Sequence, residues 1–168
     1  MKIEATWSKA IPLEKGSAHG DKIYDVDLDL VPKEPGVYVF ARRHGDKITP
    51  IYIGESVGLR GRITGHLKSL PLMRAIERAP AGSRFLIYCT VKAGNREKAK
   101  KLIKVIEKSL ILHAQNEGHE LFNKSGTKMP THEIAFTGNR VSEAIAPRLM
   151  LIKRALVKTK ASKATLGS

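Results

Sequence analysis

Two alternating apolar segments joined by a short turn constrain the fold of this chain more than any other feature. Segments 36–43 and 48–54 are rich in aliphatic and aromatic residues and flank a polar turn that contains Gly45. This arrangement predicts a β-hairpin. Because successive side chains of a strand point to opposite faces, we expect Tyr38 and Tyr52 to share one face of the hairpin.

The other face of the hairpin is predicted to pack against a core. Val37, Val39 and Ala41 alternate with larger side chains in the first strand, and Ile51 and Ile53 flank the tyrosine of the second strand. A period of two therefore predicts that these aliphatic side chains form one core face.

Periodicity and turn residues predict the remaining elements. Helices are expected at 57–68, 72–79, 96–116 and 141–158. Further strands are expected at 85–92 and 132–136. Pro147 is expected to start or kink the last of the helices, because proline cannot donate a backbone hydrogen bond.

A chain of 168 residues is long enough for one domain with appended segments. The predicted parts are an N-terminal extension at 1–34, a central domain at 35–124, a C-terminal strand and helix packed on it at 125–158, and a flexible basic tail at 159–168.

The charge of the chain is strongly positive and uneven. The formal net charge is +14. Residues 1–91 carry 14 Lys and Arg against 10 Asp and Glu, whereas residues 92–168 carry 16 against 6. Such a balance favours a polyanionic partner, nucleic acid first and an anionic membrane surface second. A basic surface kept only for solubility is the alternative.

Cysteine usage and the first residues bear on the compartment. Cys89 is the only cysteine, so one chain can form neither a disulfide nor a cysteine zinc site. Residues 1–7 lack the apolar stretch of a secretory signal, and no apolar run is long enough to span a membrane. We therefore expect a cytoplasmic protein without a membrane partner.

Two helices carry residues suited to phosphodiester chemistry. Arg62 and His66 are four residues apart, so they lie on one flank of a helix. A guanidinium can bind phosphate oxygens in pairs, and an imidazole can move a proton. A solvated helix face is the alternative interpretation.

Glu107 lies on the apolar flank of the predicted helix 96–116, close to Ile103 and Leu110. A carboxylate in such a position needs a partner or a metal ion, because an unpaired charge is costly to bury. A salt bridge with Lys104 or Lys108 is the alternative to a metal.

Five short motifs occur in order along the chain. They are the tripeptides Gly36-Val37-Tyr38 and Tyr52-Ile53-Gly54, followed by segments 59–66, 107–112 and 121–123. This set resembles the signature of the GIY-YIG nuclease superfamily, and the resemblance covers residues 35–123.

The resemblance implies a small α/β (α+β) domain in which a three-stranded antiparallel sheet is flanked by helices. It also implies an endonuclease that cuts DNA with one divalent metal ion, Mg²⁺ or Mn²⁺. The catalytic residues implied by position are Tyr38, Tyr52, Arg62, His66 and Glu107, with Glu107 as the metal ligand. The candidate nucleic-acid-binding residues are Arg60, Lys68, Lys100, Lys104, Lys108 and Asn123.

The sequence departs from the family at Glu55, where many members carry a lysine. An acid at this position opposes the phenolate that Tyr38 would need as a general base. Either Tyr38 or His66 could then activate water, or Glu55 could join the metal site. The departure also keeps open a non-catalytic nucleic-acid-binding module on the same scaffold.

Overall fold

A computed structural model describes residues 2–16, 22–123 and 132–152 of the chain. Its strands are β1 (Lys2–Trp7), β2 (Ile11–Pro12), β3 (Glu14–Lys15), β4 (Tyr24–Asp25), β5 (Gly36–His44), β6 (Lys47–Ser56), β7 (Ser83–Val91), β8 (His132–Thr137) and β9 (Leu149–Ile152). Its helices are α1 (Leu59–Leu67), α2 (Leu70–Arg78), α3 (Arg96–Asn116) and α4 (Arg140–Ile145), with a 3₁₀ turn at Leu28–Leu30. The predicted tail at 159–168 lies outside the described residues.

The prediction of a small three-stranded sheet is wrong. The main sheet has seven strands, in the order β6-β5-β7-β1-β8-β9, and β2 also pairs with β7. It is mixed, because β1 and β8 run parallel whereas the other neighbours run antiparallel. The expected antiparallel trio β6-β5-β7 is present, but strands from both ends of the chain extend it.

The strand β1 explains most of this difference. Its side chains alternate between exposed and buried, so that Ile3, Ala5 and Trp7 enter the core. Trp7 stacks on Phe136 of β8 with ring centroids 5.4 Å apart. Part of the segment predicted as an N-terminal extension therefore lies inside the sheet, between β7 and β8.

Helices cover both faces of the sheet. Apolar residues of α3 and α4 pack on one face, in a core that includes Val37, Val39 and Ile53. Apolar residues of α1 and α2 pack on the other face, in a core that includes Tyr38 and Phe40. The predicted helix 96–116 and the predicted hairpin are confirmed.

A bulge in β6 changes the predicted face of one residue. The pairing of β5 with β6 shifts between Phe40 and Ala41, which places one extra residue in β6. Ile51 consequently packs in the core of α1 and α2, whereas Ile53 packs in the core of α3. The expectation that these two isoleucines share one face is therefore wrong.

The predicted helix 141–158 is also wrong in its extent. The helix α4 ends at Ile145, and Leu149–Ile152 forms the strand β9 beside β8. Pro147 explains this end, because the residue before a proline is disfavoured in helical geometry. Ala146 accordingly is extended, with φ −150° and ψ 147°.

Within the described ranges, none of the helices has the length and apolar character needed to cross a membrane.

Candidate active site

Three aromatic rings meet where α1 packs on the hairpin. Tyr38 of β5 is 1% exposed, and its Oη lies 2.5 Å from Nε2 of His66 in α1. Tyr52 of β6 is half-buried, with its ring centroid 5.2 Å from that of His66 and 6.1 Å from that of Tyr38. The structure thus brings together three of the predicted catalytic residues.

The glycines of the two tripeptides make this arrangement possible. Gly54 pairs with Tyr38 across the hairpin, and a Cβ atom at Gly54 would lie only 2.5 Å from Cζ of Tyr38. A Cβ atom at Gly36 would lie 2.5 Å from the carbonyl oxygen of Cys89 in β7 and 2.7 Å from Cδ1 of Leu59, the first residue of α1. Gly54 therefore makes room for the tyrosine ring, and Gly36 makes room for the neighbouring strand and the helix.

The helix α1 presents its polar flank beside these rings. Leu59, Ile63 and Leu67 are buried, and this anchors the helix on the sheet. The opposite flank forms an open depression of about 490 Å³, lined by Gly61, Arg62, Gly65 and His66. Arg62 is exposed, so its guanidinium is accessible to an anionic ligand.

Burial fixes the protonation of the Tyr38–His66 pair. It raises the pKa of Tyr38 above its ordinary value of 10.0, and the neighbouring Tyr52 raises that pKa further. It lowers the pKa of His66 to about 4, and the charge of Arg62 acts in the same direction. At neutral pH the phenol is therefore protonated and the imidazole is neutral. Tyr38 donates this hydrogen bond when the imidazole proton is on Nδ1, which leaves Nε2 as the acceptor.

Glu107 lies half-buried on α3, which covers the opposite face of the sheet. Burial raises the pKa of its carboxyl group, and the negative charge of Glu55 raises it further. Lys108, Lys104 and Arg62 act in the opposite direction. Among the described residues, no cation lies within ion-pairing distance of Glu107, so the predicted alternative of a salt bridge is not formed there.

Glu107 and Glu55 are the carboxylates available to a divalent cation here. The charge of Glu55 raises the pKa of the half-buried Glu107, whereas the positive charges of Lys108, Lys104 and Arg62 lower it. Mg²⁺ commonly binds through one or two carboxylates and keeps several waters. Within the ranges that the structure describes, no cluster of three or more acidic, histidine or cysteine side chains suits a metal. Any metal held here would therefore depend on Glu107, Glu55 and water.

Arg62 connects the two halves of this site. Its charge lowers the pKa values of Tyr38, His66 and Glu107. Coulomb interactions fall off with distance, so Arg62 lies near enough to each of these groups to affect its ionisation. Direct contacts join Tyr38, Tyr52 and His66, whereas Arg62 and Glu107 are linked to them through these charge effects.

Two of the predicted nucleic-acid-binding residues are engaged with the backbone. Nε of Arg60 donates to the carbonyl of Val31 over 2.7 Å. The side-chain amide of Asn123 bonds both the N–H and the carbonyl of Ile53, so it closes part of the edge of β6. Both residues thus support the site from within the fold.

The predicted lysines lie on the surface around the site. Lys68 follows α1, and the other three lie four residues apart along α3, at Lys100, Lys104 and Lys108. All four are exposed. Lys104 precedes Glu107 in α3 and Lys108 follows it, so the row of lysines passes beside this carboxylate.

Sequence reasoning assigned no role to two phenylalanines at the site. Phe40 is buried with its ring centroid 6.2 Å from that of His66. Phe122 is 51% exposed with its ring centroid 6.3 Å from that of Tyr52. Phe122 directly precedes Asn123 in the motif 121–123, and this position is the sequence feature that could have identified it.

Comparisons with known proteins give a short match. A segment of 43 residues is 46% identical to excinuclease cho of Escherichia coli strain K12 and of Shigella flexneri. The segment represents 25% of this chain, and the chain spans only 14% of the length of these curated relatives. No family model and no solved structure matches the chain.

Proposed function

We propose that this protein is a divalent-metal-dependent endonuclease that hydrolyses phosphodiester bonds in DNA. The observation that carries the proposal is the pairing of Tyr38 with His66 beside Arg62, with the carboxylate of Glu107 in the same electrostatic neighbourhood. The match to an excinuclease over 43 residues and the net charge of +14 support a nucleic-acid substrate.

In this proposal the hydrogen-bonded pair moves the proton of the attacking water. Tyr38 takes a proton from the water while its own phenolic proton passes to Nε2 of His66. Such a relay avoids a free phenolate, which burial and Tyr52 oppose. The imidazole of His66 is neutral at neutral pH, but its lowered pKa makes it a weak base, so the negative charge of the bound phosphate must raise that pKa for the relay to work.

The remaining residues bind and orient the phosphate. Arg62 binds its non-bridging oxygens through the guanidinium, and Tyr52 orients it from the edge strand. Glu107, together with Glu55, would hold Mg²⁺ or Mn²⁺. When bound, such an ion polarises the phosphate and stabilises the departing oxygen. The oxygen of the deprotonated water bonds to phosphorus as the bond between phosphorus and the 3′ oxygen breaks.

A second candidate function is a non-catalytic nucleic-acid-binding module. Two observations favour it: Glu55 replaces the lysine of many GIY-YIG members, and the pKa of Tyr38 is raised instead of lowered. Such a module would bind nucleic acid in a salt-sensitive manner without cutting it.

A nicking assay on supercoiled plasmid separates the two functions. We expect nicking with Mg²⁺ or Mn²⁺ and none with EDTA. Glu107→Gln should lower the rate at least about 100-fold, because it removes the carboxylate charge that holds the metal. The control is Glu97→Gln, which changes an exposed carboxylate on the same helix and should leave the rate unchanged.

Circular dichroism should show the same fold for all three proteins. Equal nicking by Glu107→Gln and the wild type would contradict the assigned metal ligand. Binding without cleavage on plasmid, branched and single-stranded substrates would establish the second candidate instead.

A further inference from the structure

An exposed aromatic ring stands beside the candidate active site. Phe122 is 51% exposed, although its neighbour Leu121 is 4% exposed and lies in the core. Single exposed apolar side chains are common on protein surfaces, so exposure alone carries no meaning. The position of Phe122 is what matters, because its ring lies next to that of Tyr52.

Hydrogen bonds from Phe122 and from the next residue tie this segment to β6. The N–H of Phe122 donates to the carbonyl of Ile51 over 2.8 Å. The next residue, Asn123, bonds both backbone groups of Ile53 through its side chain. These bonds fix the place where the ring leaves the surface, so a ligand would meet it at low cost in conformational entropy.

The ring is also open to stacking. The planes of Phe122 and Tyr52 are 41° apart, which is a tilted contact and not a parallel stack. With about half of its surface accessible, Phe122 can still receive a flat partner. Every nucleobase has such a flat face, and stacking on an aromatic side chain is a common way in which proteins bind unpaired bases.

We propose that Phe122 stacks on a nucleobase next to the phosphodiester that is cut. This inference rests on the proposed function, and it narrows the substrate class. A base inside an intact duplex is already stacked on its neighbours, so the protein would act where one base is unpaired or displaced. Stacking tolerates every base, so this contact selects structure and not sequence.

Binding to single-stranded oligonucleotides in EDTA tests the inference apart from cleavage. Phe122→Ala should weaken binding about 5- to 100-fold, as expected when one stacked base is lost. Phe122→Leu keeps an apolar side chain without the ring and should also weaken binding. Phe122→Trp should bind as tightly as the wild type or more tightly. Leu149→Ala removes a similarly exposed side chain on β9, at the far end of the sheet order, and should have no effect.

Abasic nucleotides on a substrate of fixed register give the decisive comparison. On a duplex with one unpaired nucleotide, an abasic residue at that position should weaken wild-type binding and leave Phe122→Ala binding unchanged. A structural role for Phe122 predicts equal weakening on every oligonucleotide, and that result would overturn the inference. Unchanged binding by Phe122→Ala would overturn it as well. A wild-type protein that binds no oligonucleotide would overturn both the inference and the proposed function.

Discussion

Tyr38 and His66 are joined by a hydrogen bond, and burial shifts the pKa values of these two groups in opposite directions. Burial raises the pKa of the phenol and lowers that of the imidazole, so each group is held in its neutral form. The pair therefore carries no charge at neutral pH. The same effect makes the folded state sensitive to acid.

The acid sensitivity can be measured with His66→Gln. Unfolded His66 has an ordinary pKa of 6.5, whereas the folded value is about 4. Between these values the unfolded chain binds more protons than the folded chain, so the free energy of unfolding falls as the pH falls from about 6.5 to about 4. We expect a weaker pH dependence in His66→Gln, measured by urea unfolding at pH 7 and pH 5.

His119 also has a lowered pKa, but its contribution is common to both proteins and cancels in the comparison. The same pH dependence in the wild type and His66→Gln would contradict the buried, neutral state of this imidazole.

A second residue-scale prediction concerns the glycines. Gly54→Ala places a methyl group against the ring of Tyr38 and should lower the free energy of unfolding by about 1–3 kcal/mol. Gly61→Ala is the matched control, because its Cβ atom meets nothing within 4 Å. That change should stabilise the helix by about 0.5–1 kcal/mol. Urea unfolding measures both changes, and equal shifts in one direction would disprove the packing role of Gly54.

At the residue scale, much of the site followed from the sequence. The period of two placed Tyr38 and Tyr52 on one face, and helical spacing placed Arg62 and His66 together. The contact between Gly54 and the ring of Tyr38 depends on strand register, which periodicity does not specify.

At the scale of elements, the edge of β6 is held by the segment that follows α3. Asn123 supplies a donor and an acceptor to Ile53, and its own side chain replaces a neighbouring strand there. The bulged strand that carries Tyr52 thus keeps its geometry without further pairing at this position.

This role predicts a graded response to substitution. Asn123→Ala removes both hydrogen bonds and should lower the free energy of unfolding by about 1–2 kcal/mol. Asn123→Asp keeps the acceptor for the Ile53 N–H and should have a smaller effect. Hydrogen exchange at the Ile53 amide should quicken in Asn123→Ala and change little in Asn123→Asp. Unchanged exchange in Asn123→Ala would show that the edge is held by other contacts.

Elements with strong local signals were predictable, and those decided by distant partners were not. The side chain of Asn95 caps α3 by accepting a hydrogen bond from the N–H of Lys98, so the predicted helix 96–116 has the observed bounds. The strand β9 has only four residues and depends on pairing with β8, so its sequence read as a continuation of α4. Pro147 is the sequence feature that indicates the end of α4.

At the scale of the whole molecule, the row of lysines on α3 indicates the path along which a nucleic-acid backbone would reach the site. Lys100, Lys104 and Lys108 recur every four residues, which is about 6 Å along a helix. A nucleic-acid backbone that enters the site across this row would release counterions at each contact.

Replacement of all three lysines by glutamine should therefore weaken DNA binding and reduce its salt dependence. Each lost phosphate contact should change the slope of log K against log salt by about 0.9. The control replaces the exposed residues Lys2, Lys9 and Lys15, which lowers the net charge by the same amount. Fluorescence anisotropy at several salt concentrations measures both. Equal slopes for the two triple variants would mean that only the total charge matters.

The number of strands in the main sheet could not be predicted from the sequence, for a physical reason. The alternation of Ile3, Ala5 and Trp7 identifies a strand face, but it does not say which strands lie beside it. Parallel pairing with β8 leaves no local turn signal, because the partners are far apart in the chain.

The position of β1 has a consequence for how the chain folds during synthesis. Ala5 pairs with Val91 on one side and with Phe136 on the other, so β1 is completed only when residues made much later have arrived. Pairings of such long range close slowly and leave an incomplete sheet with unpaired edges in the meantime. Until those residues are made, β1 keeps two unpaired edges and exposes the apolar face of Ile3, Ala5 and Trp7.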